Sequence, residues 1–114
     1  MTDTFIKLPD PWVKERSSST ATAYFRDSSD AAEAPTTVHY RIDDLTTGTA
    51  VKDWTSATAA VSVAISITSA ENQIYDSSNE RERRQITVAA DKDTDTETRD
   101  TAVWIVNNIG GFAE

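Results

Sequence analysis

Apolar and polar residues alternate along several short stretches of this chain, most regularly over residues 59–68. In that stretch Val61, Val63, Ile65 and Ile67 are separated by serine or alanine. A period of two puts all four side chains on one face of a β-strand, whereas a helix would scatter them around its surface. We therefore predict a strand here, with these four residues buried on one face of a sheet.

The same period of two recurs along the rest of the chain, between stretches rich in turn-forming residues. The predicted strands cover residues 4–8, 20–26, 37–43, 50–54, 59–68, 84–90 and 101–106. We expect one core to contain their inward residues, which include Val38, Tyr40, Ile42, Ile86 and Val88. About seven short strands with turns between them are typical of a two-sheet β-sandwich, so an all-β fold is predicted.

The apolar pattern near the N-terminus is interrupted by Pro9 and Pro11. Proline lacks the N–H that a strand donates to its neighbour, so this segment is expected at a sheet edge or outside the sheets. We predict an extended N-terminal arm over residues 1–18, a β-sandwich domain over 19–109 and a short C-terminal tail over 110–114. The apolar residues of the arm would either cover the open end of the sandwich or bind a neighbouring chain, and we expect the second. These predicted interface residues are Phe5, Ile6, Leu8, Trp12 and Val13.

The net charge of −8 and the isoelectric point near 4.5 limit the partners that this chain can bind. Affinity for nucleic acid and for anionic lipid comes mainly from lysine and arginine, so neither nucleic acid nor a membrane is expected as a partner. The 114 residues fit one domain, and the chain has no cysteine for a disulfide or a thiolate metal site. The N-terminus does not resemble a signal peptide and no apolar run is long enough to span a membrane, so we expect synthesis in a cytoplasm without secretion.

Basic residues are concentrated only in residues 80–84, where Arg81, Arg83 and Arg84 stand beside two glutamates. Two interpretations remain open for this segment. It forms cross-strand ion pairs at a solvated strand entry, or it is a docking contact whose arginines grip the carboxylates of a partner. On the second interpretation the three arginines are interface residues.

The last predicted strand is apolar on both of its faces. Val103 and Ile105 share one face, and Trp104 and Val106 share the other. A strand of this kind is either covered on both sides by its own domain or has one face reserved for a partner. Both alternatives are compatible with the sequence.

Acidic residues alternate along one loop, which is a weak candidate for a cation site. Asp91, Asp93, Asp95 and Glu97 supply the hard oxygen ligands that calcium prefers. The spacing departs from the EF-hand loop, because Thr96 stands where that loop needs glycine. We therefore favour a solvated hairpin loop and expect neither a metal ion nor a cofactor.

His39 is the only histidine, and it lies on the polar face of a predicted strand. A general base needs a nucleophile or an orienting partner nearby, and no catalytic motif supplies one. We assign no catalytic residue and predict that the protein is not an enzyme. The adjacent pair Asp43 and Asp44 is expected to be exposed, with Asp44 capping the turn that follows.

Four segments carry a family resemblance: VHYRIDDLTTGTAVKDWT, AVSVAISIT, ERRQITVAAD and TAVWIVNN. Together they resemble immunoglobulin-like and fibronectin-III-like modules, without the cysteine pair of antibody domains. The resemblance implies a single immunoglobulin-like β-sandwich of about seven antiparallel strands with an extended N-terminal arm.

A narrower resemblance links the segments YRIDDLTTGTAVKDWT and ENQIYDSSNERERR to small virion proteins of tailed bacteriophages. It implies a capsid decoration or cement protein that stabilises the head shell, or an accessory protein at the head–tail junction. The implied partners are the major capsid protein or other virion subunits, with many copies or a homo-oligomer on a symmetric particle. The alternative is a carbohydrate-binding or adhesion module of immunoglobulin-like type.

Overall fold

Eight β-strands form the fold in the computed structural model, which describes residues 3–8, 10–92 and 97–108. They are β1 (Asp3–Lys7), β2 (Trp12–Lys14), β3 (Ser19–Arg26), β4 (Thr37–Asp44), β5 (Thr49–Ala57), β6 (Ser62–Ile67), β7 (Arg81–Asp91) and β8 (Thr98–Asn107). These described residues contain no helix, and so none that could cross a membrane.

The strands form two sheets that pack face to face. One sheet has the order β1-β3-β6, and the other has the order β2-β8-β7-β4-β5. Neighbouring strands are antiparallel, except that β2 runs parallel to β8. Between the two sheets, β1 lies against β8 and β7. The predicted all-β sandwich is therefore confirmed.

The core lies between the two sheets and follows the predicted alternation. Its largest fully buried apolar side chains are Phe25, Ile42, Ile67, Ile86 and Trp104. The predicted inward residues of β4 and β7 are all buried, as are those of β6 from its second residue onward.

Val61 is an exception to that alternation, and the prediction of its burial is wrong. Its side chain is 49% exposed, whereas Ile65 on the same strand face is 3% exposed. Strand β6 begins only at Ser62, so Val61 lies beyond the edge of the core. Its carbonyl oxygen still accepts a bond of 3.4 Å from the Phe25 N–H.

The N-terminal segment forms edge strands of the sandwich instead of standing apart as an arm. Strand β1 pairs with β3 in one sheet, and β2 pairs with β8 in the other. Pro11, between them, has no N–H to donate, but its carbonyl oxygen accepts a 2.9 Å bond from Ile105 N–H. The described residues of this segment are therefore paired within the chain, and the expected contact with a neighbouring chain stays a prediction. The predicted tail at 110–114 lies outside the described residues.

Strands β1 and β8 close one side of the sandwich by side-chain hydrogen bonds between the sheets. The hydroxyl oxygens of Thr4 and Thr98 lie 2.5 Å apart, and the Ile6 N–H donates to Asp100 Oδ2 over 2.9 Å. Thr4 is buried, which is consistent with a bond that replaces water. The N-terminal residues therefore contribute to the stability of the domain.

Candidate interaction surface

The outer face of the five-stranded sheet carries most of the candidate functional residues. Residues paired across neighbouring strands point to the same side of a sheet, so the pairing identifies this face. It includes Trp12, Arg41, Arg81, Arg83, Gln85, Arg99, Val103 and Ile105.

Three apolar side chains lie together on this face, and we call them the apolar strip: Trp12, Val103 and Ile105. Trp12 is paired with Ile105 in the parallel register of β2 and β8, and Val103 is two residues earlier on β8. Trp12 is 53% exposed and Val103 is 38% exposed. In the part of the chain that the structure describes, nothing covers this strip, so the outer face of β8 is open to a partner.

The inner face of β8 explains why Val103 and Ile105 point outward. Trp104 is buried, and its indole Nε1–H donates to Asn72 Oδ1 over 3.0 Å. Because a buried indole N–H needs an acceptor, this bond fixes Trp104 on the core side. The alternation of the strand then places Val103 and Ile105 on the opposite side.

Cationic side chains flank the apolar strip. Arg83 is paired with Ile105, and both Arg81 and Lys14 are paired with Asn107. All three are exposed, and none forms an ion pair with another described residue. We call Lys14, Arg81 and Arg83 the basic rim. In a chain of net charge −8, this local positive charge suits the carboxylates of a partner.

A shallow groove of about 380 Å³ runs beside Trp12 on the edge of the sheet. It lies between β2 and the start of β3 and is lined by Asp10, Trp12, Val13, Lys14 and residues 17–19. The groove gives a partner access to one side of the Trp12 ring.

Arg84, the third predicted docking arginine, is fully buried, and its assignment to the interface is wrong. Its Nε donates to Asp44 Oδ1 over 3.0 Å, and its Nη2 donates to Glu82 Oε1 over 2.9 Å. The two carboxylates are also fully buried. A buried cation held by two carboxylates cannot reach a partner.

Asp44 has the capping role that was predicted, but it is not exposed. It accepts a 2.9 Å bond from the Thr47 N–H in the turn after β4. Only 1% of its surface is exposed, because Arg84 lies against its other oxygen. The ion pair with Arg84 accounts for the burial of a charge that sequence reasoning placed in solvent.

The same buried charges hold residues 68–80, which connect β6 to β7. Glu82 accepts bonds from the N–H groups of Tyr75 and Asp76 at 2.8 and 2.9 Å. Arg84 donates to the Glu71 carbonyl oxygen over 2.7 Å, and its guanidinium carbon lies 5.0 Å from the centre of the Tyr75 ring. Asn108, which follows β8, also donates to the carbonyl oxygens of Ser77 and Asn79, so the connection is fixed beside the end of that strand.

Hydrogen bonds from Ser78 lower the pKa of Asp76 below its ordinary value of 3.8. The Ser78 hydroxyl donates to Asp76 Oδ1 over 2.6 Å, and the Ser78 N–H donates to the same oxygen over 3.0 Å. Since the folded state favours the charged form, this carboxylate stabilises the fold above pH 3.8, and the contribution disappears as the pH falls through the lowered pKa.

We expect Ser78→Ala to raise the Asp76 pKa toward 3.8, because the hydroxyl donor is lost and only the N–H remains. An NMR titration of the side-chain carboxyl carbons measures this change. Ser77→Ala is the matched control, since Ser77 is exposed and its hydroxyl makes no bond to Asp76. Equal pKa values in Ser78→Ala and the parent protein would contradict the assignment.

A second cluster surrounds Trp54 at the opposite edge of the same sheet. The guanidinium carbons of Arg41 and Arg99 lie 5.7 and 5.2 Å from its ring centre, within the range of cation–π attraction. A bidentate bond to Asp43 raises the pKa of Arg41, despite partial desolvation. The depression next to Trp54 also includes His39 and has a volume of about 110 Å³, below the usual size of a ligand pocket.

The acidic loop shows no assembled cation site in its described residues. Asp91 accepts a bond from the Thr37 hydroxyl, and Glu97 pairs with Arg99. Asp93 and Asp95 lie outside the described residues. Among the residues at 3–8, 10–92 and 97–108, no group of three or more carboxylates or histidines could hold a metal ion.

The remaining predicted interface residues do not join the apolar strip. Phe5 stacks on Tyr24 with ring centres 5.1 Å apart, on the outer face of the other sheet. Ile6, Leu8 and Val13 are partly buried and pack against the core. The structure therefore brings Trp12, Arg81 and Arg83 to one face and places the others elsewhere.

Sequence reasoning did not assign Val103 and Ile105 to the interface, although the apolar pattern on both faces of β8 was a usable signal. Comparison with known proteins adds no further constraint: no family model, curated protein or solved structure matches this chain. Function is therefore inferred from the surface itself and from the sequence resemblance.

Proposed function

We propose that this protein is a structural component of a bacteriophage virion that binds the major capsid protein or another virion subunit through the apolar strip and the basic rim. The role is that of a decoration or cement protein, or of an accessory protein at the head–tail junction. The observation that carries the proposal is the exposed apolar strip on the outer face of the sheet, where Trp12 on the edge strand β2 lies beside Ile105 of β8.

The apolar strip has the composition of a binding hot spot. Tryptophan and arginine are enriched among residues that dominate binding energy, and here Trp12 lies beside Ile105 with Arg83 next to it. Each Å² of apolar surface that a partner covers contributes about 25 cal/mol. Strands on both sides of β8 hold the strip in place, so little conformational entropy is lost on binding.

Attachment in many copies suits a surface of this size. A symmetric shell presents the same site many times, so modest affinities of linked contacts add through multivalency. The basic rim selects for a partner with carboxylates at matching positions, while the net charge of −8 keeps unbound copies soluble. A narrow interface of this kind would reinforce contacts between shell subunits without a large contact area.

We expect Trp12→Ala to weaken binding to purified particles by about thirtyfold or more, which is the loss of a hot-spot residue. The measurement is co-sedimentation of the purified protein with particles from which it has been stripped, titrated to saturation. The saturating ratio to the capsid subunit gives the copy number.

Val61→Ala is the matched control for this experiment. Val61 is apolar and about as exposed as Trp12, but it lies at the opposite end of the sandwich from the apolar strip. Binding of the control variant should equal that of the parent. Saturable binding that Trp12→Ala and Val103→Asp both leave unchanged would contradict the proposed surface, and absence of the protein from intact particles would contradict the proposed function.

The second candidate is a carbohydrate-binding or adhesion module, and Trp54 favours it. This ring is 40% exposed on a sheet face and is surrounded by Arg41, Arg99 and His39, which are polar groups suited to sugar hydroxyls or carboxylates. Glycan binding that Trp54→Ala abolishes and Trp12→Ala leaves intact would favour this candidate over the virion protein.

A further inference from the structure

Among the described strands, four lie at the edges of the two sheets, and three of these carry features that hinder pairing with another chain. Strand β1 has charged residues at Asp3 and Lys7, and β2 has only three residues and ends at Lys14. Strand β5 carries Lys52 and Asp53 where its pairing with β4 is irregular. Charges, short length and irregular register are the usual means by which edge strands avoid association.

The fourth edge strand, β6, has none of these features. Its sequence, SVAISI, contains no charge and no proline, and it pairs regularly with β3 along its whole length. It lies within residues 54–70, which contain no charged residue in a chain that is 26% charged. An edge strand of this kind presents an unprotected row of main-chain donors and acceptors.

The pairing of β6 with β3 shows which main-chain groups face outward. The Val61 carbonyl oxygen accepts from Phe25 N–H in the adjacent strand β3. In an antiparallel pair, the N–H and C=O of one residue point to the same side and alternate along the strand. The main-chain groups of Ser62, Ala64 and Ser66 therefore point away from β3, where no described strand pairs with them.

We propose that β6 pairs antiparallel with β6 of a second copy of this chain, about a two-fold axis at Ala64. The two three-stranded sheets then join into one six-stranded sheet. In this register Ala64 is opposite Ala64 of the second copy, Ser62 is opposite Ser66, and Val63 is opposite Ile65. Core-facing side chains meet core-facing side chains, and the small outer ones meet small ones, so the strand is complementary to itself.

We call the contact between the two β6 strands the seam. Because the seam has no charged residue, a second copy of this chain is favoured over a different partner. A partner strand with charged residues would find no opposite charge on β6, so its charges would stay unpaired. A second β6 strand has no charged residue and avoids this cost. The small side chains of Ser62, Ala64 and Ser66 also leave the outer face of the joined sheet unobstructed. The two-fold axis closes the assembly at a dimer, which removes the open edge that would otherwise recruit further chains.

The expected dimer is weak and depends on salt. About six main-chain hydrogen bonds form along such a seam, and interfaces that bury less than about 1,200 Å² are transient, so we expect a dissociation constant of about 0.1–1 mM. Each copy carries a net charge of −8, and salt screens the repulsion between them. Dimerisation should therefore strengthen as the salt concentration rises.

Amide hydrogen exchange followed by NMR on the purified protein tests this seam residue by residue. As the protein concentration rises through the dissociation constant, the amides of Ser62, Ala64 and Ser66 should become protected. Those of Val63 and Ile65 should not change, because they already bond to β3 in the monomer. Sedimentation equilibrium on the same samples measures the dimer fraction.

Substitutions at Ala64 distinguish an effect on dimerisation from an effect on folding. Ala64→Pro removes an N–H that bonds only across the seam, and Ala64→Lys places two like charges opposite each other, so each should raise the dissociation constant at least about tenfold. Ala64→Ser is the matched control and should dimerise like the parent. Circular dichroism verifies that the variants are folded, and Ala64→Lys keeps the test valid if the proline variant is not.

A protein that stays monomeric up to about 1 mM would overturn the proposal, because the dimer should then be half formed. So would a dimer that both Ala64→Lys and Ala64→Pro leave unchanged, or one that weakens as salt is added. The test requires no particle, and Trp12→Ala should leave the dimer intact. Failure of this inference is therefore distinguishable from failure of the proposed function.

Discussion

Replacing Arg84 with alanine is expected to lower the free energy of unfolding by about 3–5 kcal/mol. The substitution leaves Asp44 and Glu82 fully buried without the cation that lies 3.0 and 2.9 Å from their oxygens. It also removes the donor to the Glu71 carbonyl oxygen, so the connection at 68–80 loses an attachment to the sheet. Urea denaturation followed by tryptophan fluorescence measures the change.

Arg83→Ala is the matched control for Arg84→Ala. It removes the same side chain one position away, but Arg83 is exposed on the outer face and forms no ion pair among the described residues. Its unfolding free energy should stay within about 0.5 kcal/mol of the parent. Equal stability of the two variants would contradict a buried ion network at this end of the sandwich.

Replacing Ile65 with alanine is expected to cost about 2–5 kcal/mol of stability, because it removes a buried branched side chain and leaves a cavity. Ile65 is 3% exposed and lies opposite Ala21, which is too small to fill the space. Thermal and urea denaturation of the variant measure the loss.

Val61→Ala is the comparison that tests where β6 begins. Both residues belong to the same alternating pattern, but Val61 is half exposed, so its truncation should cost less than about 0.5 kcal/mol. A loss for Val61→Ala as large as that for Ile65→Ala would mean that the strand and the core extend further than the structure shows.

Most of the fold could be predicted from the period of two, because each sheet has one buried face and one solvated face. That contrast places Val38, Tyr40 and Ile42 inward without any knowledge of their neighbours. The alternation of apolar and polar residues continues beyond the end of the buried core. It therefore did not show that Val61 lies outside the core. The prolines of the N-terminal segment indicate a sheet edge or a position outside the sheets, and the chain forms an edge strand on either side of them.

The burial of Arg84 could have been predicted from the same alternation. Glu82 and Arg84 share the parity of Ile86 and Val88, and Asp44 shares the parity of Ile42. The charges favoured solvent exposure in the sequence analysis, because a buried charge needs a partner. That partner becomes visible only in the register of β4 and β7, which pairs Asp44 with Arg84 across 40 residues of sequence.

The apolar strip could be predicted only in parts. The apolar faces of β8 and the isolated Trp12 were both evident in the sequence, but their adjacency depends on a parallel pairing between residues 12 and 105. A local pattern of apolar and polar residues cannot predict that two segments so far apart in sequence will pair. Which face of β8 is buried depends in turn on the bond from Trp104 to Asn72, a contact between distant segments of the chain.

The parallel pairing of β2 with β8 also determines how the domain responds to tension along its length. Thr4 lies beside the start of β8 and Asn108 follows its end, so a pull on the two ends of the described chain acts along that strand in opposite directions. Parallel neighbours pulled in this way slide past each other, and their hydrogen bonds are loaded together in shear instead of being unzipped one after another. The short strand β2 is thus loaded in shear against β8, the last strand of the described chain.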